Sequence, residues 1–193
     1  MSILRTTTLS AALLVCQLPV ARGQTRPDPA KIIWAQQESM ARLAFMDGIW
    51  RGIARTSSPN GEKHEITQTE RIGPFLGGSV KVIEGRGYDA SGRLVFNSFG
   101  TISFNPTTQA FTIRSHAMGN VGDFALVPAD DGFTWEIPAG PVVIRYTAKI
   151  KGGLWQETGD RIAPGKEPSR FFEMTLHRIG DTDWPSSGAI EQK

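Results

Sequence analysis

The stretch of sequence that decides the fold is Asp47-Gly48-Ile49-Trp50-Arg51-Gly52. It stands between a helix-like segment and a long series of short strands. Gly48 suits the end of a helix, where the chain commonly takes a left-handed conformation. Trp50 falls at the start of the first strand, where a large aromatic ring can plug the end of a sheet that closes on itself. The stretch therefore predicts a helix that leads into a closed β-sheet.

Beyond Gly48 the sequence alternates with a period of two and is interrupted by turn signals rich in Gly, Pro, Asn and Asp. Nine such signals predict ten strands. Most are short, so strands adjacent in sequence should pair antiparallel, without the helical crossover that a parallel sheet requires. We predict an all-β, about ten-stranded antiparallel up-and-down barrel preceded by one α-helix. The turn signals lie at residues 57–61, 73–78, 89–92, 105–108, 118–120, 130–132, 139–141, 151–153 and 163–166.

Alternation along each strand indicates which side chains face the interior. On the last strand, Phe172, Met174 and Leu176 share one face, while Phe171 and His177 lie on the other. Ten strands enclose more room than eight, which already can hold one small ligand. The inward side chains either fill this room or line a cavity, and we expect a cavity. The candidate ligand-binding residues are Phe111, Trp135, Tyr146, Phe172, Met174, Glu70 and Glu157.

Residues 1–23 have the features of a secretory signal peptide. A basic start precedes the short apolar run 9–20, and Ala21-Arg22-Gly23 places small residues before a cleavage site at Gln24. The run is too short for a membrane span, which needs about 20 apolar residues. We therefore expect a periplasmic or secreted protein. Lipidation at Cys16 is a minor alternative, because the residue before it is not small.

Cleavage at this site argues against several classes of function. Lys plus Arg falls from 21 to 19, equal to the 19 Asp plus Glu, so the mature chain lacks the basic charge of a nucleic-acid-binding protein. It also lacks cysteine, which removes disulfides and thiol catalysis. The histidines His64, His116 and His177 are not at metal-ligand spacing, so we expect no metal. Nitrobindin-type barrels bind haem through a histidine near the C-terminus, but His177 has outward parity and we expect no cofactor.

The segments outside the barrel are short. Residues 24–46 form a polar leader and a helix that starts at Asp28-Pro29, with Asp as the N-cap and Pro in the first turn. Ile33, Met40 and Leu43 share one face at helical spacing. The helix either covers a barrel mouth as a lid or packs on the wall, since periodicity does not show what lies beneath a buried face. The predicted barrel spans 47–180, followed by a flexible tail at 181–193.

Five short motifs follow one another in order along the chain. They are Leu43-x-x-Met46-x-Gly48-x-Trp50-x-Gly52, Phe75-Leu76-Gly77-Gly78, Gly87-Tyr88-Asp89, Trp155-x-Glu157-x-Gly159 and Phe172-x-Met174-x-Leu176-x-Arg178. Together they resemble the DUF1579-type domains, a secreted bacterial family of unknown function, over roughly 43–179. The resemblance implies a lipocalin-like (calycin) barrel outside the cytoplasm. Barrels of that wider group tend to bind small apolar molecules, which is the ligand class that the resemblance implies.

The same resemblance implies how the barrel closes. In calycin-like barrels a tryptophan of the first strand packs against a basic side chain of the last, and the matching residues are Trp50 and Arg178. Parity places Arg178 on the face of Leu176, which we assign to the interior. We therefore expect the Arg178 guanidinium to stack on the Trp50 indole and to join the two strands.

Three glutamates are candidates for acid–base chemistry, because a carboxyl group that faces an aromatic wall has a raised pKa. The alternative is that they form ion pairs with arginines at the barrel rim, which we favour. The glutamates are Glu70, Glu84 and Glu157, and the arginines are Arg71, Arg86 and Arg145.

Three functions are consistent with these patterns. The first is a non-enzymatic carrier or sensor of a small apolar ligand, such as a fatty acid, and this is our leading hypothesis. The second is an enzyme that uses an interior glutamate as acid or base in the same cavity. The third is an envelope interaction protein whose barrel is solid.

Overall fold

The computed structural model describes residues 28–58, 60–182 and 184. Ten antiparallel strands form one closed barrel in up-and-down order, and the last strand pairs with the first. A single α-helix precedes them. The predicted fold class is confirmed. None of the described helices is long and apolar enough to cross a membrane.

The bounds of the elements follow the turn signals closely. The helix α1 covers Pro29–Ala41, and 3-10 turns occupy Ala44–Met46 and Leu76–Gly78. The strands are β1 (Gly48–Ser57), β2 (Lys63–Phe75), β3 (Val80–Tyr88), β4 (Leu94–Asn105), β5 (Ala110–Ala117), β6 (Asn120–Ala129), β7 (Gly132–Ala139), β8 (Val142–Lys151), β9 (Leu154–Ile162) and β10 (Ser169–Gly180).

The helix α1 starts where the sequence predicts. Asp28 accepts a hydrogen bond from the Ala30 N–H at 3.0 Å, and Pro29 occupies the first turn. Met40 and Leu43 are buried as predicted, but Ile33 is 47% exposed, so its placement on the buried face was wrong. The reason is that the face against the barrel carries Ile32 and Gln36, which are half-buried, and the Gln36 side-chain N–H donates to the Phe104 carbonyl at 3.4 Å.

One end of the barrel, which we call the floor, is closed by the end of this helix and the turn after it. Met40, Leu43 and Met46 are buried there beside Trp50. The indole N–H of Trp50 donates to the Met46 carbonyl at 2.9 Å, and the ring meets Trp155 edge-on at 5.7 Å. The predicted plug at the start of the first strand is therefore present. The opposite end, toward the turns that follow β1, β3, β5, β7 and β9, is called the mouth.

The predicted stack of Arg178 on Trp50 is not formed. The two residues face each other across β1 and β10, which do close the barrel. The guanidinium, however, donates to the Asp47 carbonyl at 3.3 Å and pairs with Asp181 at 2.7 Å. Among the described residues, the guanidinium groups that lie over aromatic rings belong to other arginines. Arg178 sits just past the floor, where the Trp50 indole is already covered by Trp155.

The inward face chosen for β10 is nevertheless correct. Met174 and Leu176 are buried, whereas Glu173 and His177 are exposed. The error in the stack therefore concerns how far the core extends along the strand, and the alternation holds from Phe172 to His177.

Only residues 181, 182 and 184 of the predicted tail are described, so its flexibility stays a prediction. Trp184 donates its indole N–H to the Arg71 carbonyl at 3.3 Å and lies under the Arg71 guanidinium. Its ring also meets Phe75 at 5.6 Å. This part of the tail thus covers the outer face of β2. The predicted signal peptide, its cleavage site and Cys16 lie outside the described residues.

Candidate functional site

The interior of the barrel has a sealed, apolar half at the floor. Its inward side chains make close ring and aliphatic contacts, as in the 4.8 Å approach of Phe104 and Phe111. Such packing favours stability over binding. The buried members of this half include Trp50, Ile72, Ile102, Phe104, Phe111, Leu126, Phe133, Ile150, Trp155 and Leu176.

Toward the mouth, the inward side chains are aromatic and only half-buried. Trp135 of β7 stacks on Tyr146 of β8, with ring centroids 4.7 Å apart and planes 14° from parallel. Tyr146 meets Phe172 edge-on at 5.7 Å and Phe171 at 6.0 Å. These rings are half-buried, in contrast to the fully buried side chains of the floor. They form an aromatic wall suited to an apolar molecule.

A small polar cluster separates these two halves. Gln68 and Glu70 come from the inward face of β2, one layer above Ile72, and Glu157 comes from the inward face of β9. Glu70 is 8% exposed, and its Oε1 accepts a hydrogen bond from the Gln68 side-chain N–H at 2.7 Å. Its Oε2 is buried and has no hydrogen-bond partner in the part of the chain that the structure describes. Such an atom is rare in a folded protein and calls for a partner.

Glu157 is buried but better satisfied than Glu70. Its carboxylate accepts from the Trp155 indole N–H at 3.1 Å. Burial raises the pKa of Glu157 to about 7, although hydrogen bonds from Trp135 and Trp155 oppose the rise. Burial raises the pKa of Glu70 further, to about 8, and the negative charge of Glu157 adds to the effect. At neutral pH, Glu70 is therefore mainly a neutral carboxylic acid.

A glycine on the neighbouring strand leaves space for the Glu70 carboxyl group. A methyl group on Gly85 would come within 2.8 Å of the Glu70 Oε1 and 2.5 Å of the Ser98 hydroxyl. Any larger residue at this position would displace the carboxyl group. Gly85 thus positions Glu70 against β3, and the sequence patterns did not identify this role.

Glu84 is not in the interior, so it is no candidate for acid–base chemistry there. It lies on the outer face of β3 and pairs with Arg71 at 2.8 Å and with Arg86 at 2.5 Å. Burial opposes its ionisation, but the hydrogen bonds from Arg86 and Arg71 outweigh burial and lower the pKa of Glu84. The ion-pair alternative holds for Glu84. For Glu70 and Glu157 no ion pair occurs among the described residues.

The structure brings together most of the residues chosen from the sequence. Trp135, Tyr146 and Phe172 form the aromatic wall, and Met174 lies next to Glu157 in the register of β10 and β9. Phe111 is different, because it packs in the sealed floor and does not reach this site.

One residue of the site, Phe171, was missed because of an irregularity in β10. The register of β9 and β10 shifts between Arg170 and Phe172, so both Phe171 and Phe172 turn inward. Phe171 then lies beneath the guanidinium of Arg161, whose Cζ is 4.2 Å from the ring centroid. Strict alternation places Phe171 outside, and no local signal marks the bulge.

The histidines do not contribute to this interior. His177 is exposed on the outer face of β10, as its parity predicts, and His64 lies beside Glu62 on the surface. His116 approaches the exposed Phe99 on the outside of the barrel. Within the described residues, no group of three or more His, Cys, Asp and Glu side chains is arranged to hold a metal ion.

Two solved structures share this barrel. The crystal structure of Rv2717c from M. tuberculosis is 14% identical, with a TM-score of 0.56 over 73% of this chain and 97% of that chain. The S-type phycobiliprotein lyase CPES from Guillardia theta is 10% identical, with a TM-score of 0.51 over 75% of this chain and 93% of that chain. At these identities the likeness shows the lipocalin-like barrel fold alone. The chain matches no protein-family model and no curated protein, so the DUF1579-type resemblance stays a prediction.

Proposed function

We propose that the mouth half of the barrel binds a small, mainly apolar molecule and that the protein acts as a non-enzymatic carrier or sensor of it outside the cytoplasm. One observation carries this proposal above the others. The buried Oε2 of Glu70 has no hydrogen-bond partner among residues 28–58, 60–182 and 184, and it lies below a wall of half-buried aromatic rings. A protein that only needed a stable core would bury an apolar side chain at this position, since an unsatisfied buried polar atom costs about 1–3 kcal/mol.

The state of Glu70 suggests which atom of the ligand it contacts. With a pKa of about 8, the group is mainly protonated at neutral pH and donates a hydrogen bond. Its complement is a carbonyl or hydroxyl oxygen on an otherwise apolar ligand. A carboxylate placed beside Glu70 and Glu157 would add negative charge to a desolvated acidic pair. A fatty acid would therefore bind with its head group away from this pair.

The enzymatic alternative rests on the two pKa values near neutrality. Carboxyl groups at about 7 and about 8 suit proton transfer at physiological pH. Glu70→Gln separates the two functions, because an amide still donates a hydrogen bond to an oxygen but no longer supplies a proton. An enzyme loses turnover in this variant, whereas a carrier keeps its ligand. The likeness to a phycobiliprotein lyase supports neither, since it extends to the fold only.

Native mass spectrometry of the purified protein, with organic extraction of the same sample, tests the proposal. We expect a bound species of small mass in the wild type and an apolar molecule with an oxygen atom in the extract. Glu70→Leu should lose this species, and it should still fold because it removes a desolvated carboxyl group. Glu84→Leu is the matched control on the outer face and should retain it. A wild-type mass equal to the polypeptide alone, with an extract free of apolar molecules, contradicts the proposal.

The compartment is a separate part of the proposal. It depends on the signal-like residues 1–23. N-terminal sequencing of the mature protein should start at Gln24. A chain that starts well before this residue would overturn the extracytoplasmic assignment without touching the binding proposal.

A further inference from the structure

The inward face of β9 carries four residues of different chemistry in line from floor to mouth. Trp155 lies in the sealed floor, Glu157 in the polar cluster, and Gly159 at the level of the aromatic wall. Arg161 follows at the mouth, opposite Ile144 of β8. A strand rises about 3.3 Å per residue, so about 13 Å separates the backbone positions of Glu157 and Arg161.

The aromatic wall lies closely against the strand between these two charged residues. A methyl group on Gly159 would come within 3.0 Å of the Tyr146 ring and 3.1 Å of the Phe171 ring. The absence of a side chain there lets both rings lie against β9. An apolar chain that runs from the polar cluster to the mouth would contact these rings along its length.

Arg161 is held in place by an aromatic ring. Its guanidinium lies over Phe171 at 4.2 Å, which fixes the side chain by a cation–π contact. Two arginines on the outer face of the neighbouring strands form ion pairs instead, Arg170 with Asp160 and Arg145 with Glu136. Across residues 28–58, 60–182 and 184, no carboxylate lies within ion-pair distance of Arg161. Its N–H donors therefore remain available on the inner side of the mouth.

A second donor lies one layer below Arg161. Tyr146 is opposite Gly159 in the register of β8 and β9, and both Tyr146 and Arg161 contact the Phe171 ring, at 6.0 Å and 4.2 Å. Burial raises the pKa of Tyr146 to about 12, with a further contribution from Glu157 that the charge of Arg161 only partly opposes. The phenol therefore stays protonated at neutral pH and can donate a hydrogen bond. A guanidinium beside a phenol is a suitable pair of donors for a carboxylate.

We propose that Arg161 and Tyr146 bind a carboxylate at the mouth, so that the ligand is an amphiphile with an acidic end at Arg161 and a neutral oxygen at Glu70 and Glu157. This inference rests on the proposed function and adds the class and the orientation of the ligand. It keeps the negative charge of the ligand at the end of the barrel that is remote from the buried acidic pair. The distance between Glu157 and Arg161 along β9 then sets how far apart the two polar ends of the ligand can be.

A matched pair of probes tests the inference by isothermal titration calorimetry at pH 7. 10-Hydroxydecanoate and 1,10-decanediol share a chain and one hydroxyl end, and they differ only in the carboxylate. We expect the wild type to bind the acid about tenfold more tightly than the diol, as a charge-assisted hydrogen bond provides. Arg161→Gln should abolish this preference and leave the affinity for the diol unchanged. Arg170→Gln, in the paired arginine on the outer face, should retain the preference.

Each other outcome contradicts either the carboxylate site or the proposed function as a whole. If the diol binds and the acid is not preferred, or if Arg161→Gln keeps the preference, the carboxylate site is wrong while the proposed function stands. If Arg161→Gln weakens both probes equally, Arg161 contributes to the shape of the mouth and does not recognise charge. If neither probe binds the wild type, the proposed function fails together with this inference.

Discussion

The floor and the mouth of the barrel are built from the same ten strands but differ in what their inward side chains contact. At the floor, Trp50 has its N–H bonded to Met46 and its ring against Trp155. At the mouth, Trp135 and Tyr146 stack on each other yet remain half-buried, and Arg161 has no counter-charge among the described residues. Between them, Glu70 has a buried oxygen without a hydrogen-bond partner in the part of the chain that the structure describes. In the half that stabilises the fold, the inward side chains are fully packed and bonded. In the half that we assign to binding, described side chains such as Arg161 keep donors that are available to a ligand.

Truncating one aromatic side chain in each half should give the largest difference. Trp50→Ala should lower the free energy of unfolding by about 3–5 kcal/mol, because a sealed core cannot fill the cavity. Phe172→Ala, in the half-buried wall, should lower it by about 1–2 kcal/mol, since much less contact is lost. Urea unfolding followed by circular dichroism measures both, and Leu176→Ala gives a milder floor variant if Trp50→Ala does not fold. Equal losses in the two halves would show that the mouth is packed like the floor.

The polar cluster between the halves should make the free energy of unfolding decrease as the pH rises. Glu70 and Glu157 have pKa values of about 8 and about 7 in the folded protein, above the ordinary value of 4.5. Between pH 4.5 and about pH 8, the folded state holds protons that the unfolded state has released. The free energy of unfolding therefore falls as the pH rises. The slope is at most about 1.4 kcal/mol per pH unit for each group, and stability levels off above about pH 8.

Unfolding free energies measured from pH 4 to pH 9 test this sign. Glu70→Gln and Glu157→Gln should each flatten the curve, while Glu84→Gln, on the outer face, should not. A wild-type stability that increases with pH across this range would mean that the interior carboxyl groups are ionised and paired.

The smallest effect is expected just past the floor, at Arg178. Its side chain is 37% exposed, and its bonds go to the Asp47 carbonyl and the exposed Asp181. Arg178→Ala should therefore cost only about 0–1 kcal/mol, as for a surface ion pair. A thermal-unfolding comparison with Asp181→Ala should show similar small shifts. A loss near that of Trp50→Ala would mean that Arg178 does hold the floor together.

The sequence predicted those features that depend on local patterns. Turn signals and period two gave ten strands, their antiparallel order and the inward face of β10, because each follows from a few adjacent residues. The same alternation placed Glu70 and Glu157 inside the barrel. These two residues and the wall formed by Trp135, Tyr146 and Phe172 are the part of the site that could be predicted.

The errors arise where the decisive contact is distant in sequence. Glu84 was kept as an acid–base candidate because it shares a face with the aliphatic Val82, although an ion pair was favoured and is what the structure has. Val82 pairs with Gly73, however, and Gly73 is covered on the outside by Thr182 and Trp184. Aliphatic residues therefore occupy both faces of β3, and alternation cannot tell which face is inside.

Other errors have the same origin. The bulge that turns Phe171 inward leaves no mark in the sequence. Phe111 was assigned to the site because inward parity does not distinguish the floor from the mouth. That distinction depends on where the chain before β1 folds back, which is a property of the whole fold.

The most direct test of this division is a titration of the wild-type protein with N-phenyl-1-naphthylamine, a neutral probe that fluoresces in apolar surroundings. We predict saturable binding of one probe per chain and competition by 1,10-decanediol. Phe172→Asp should weaken it by placing a charge in the aromatic wall, while His177→Asp, on the outer face of the same strand, should not. If the folded wild type gives no saturable increase in fluorescence, the barrel is solid at both ends and the central claim is contradicted.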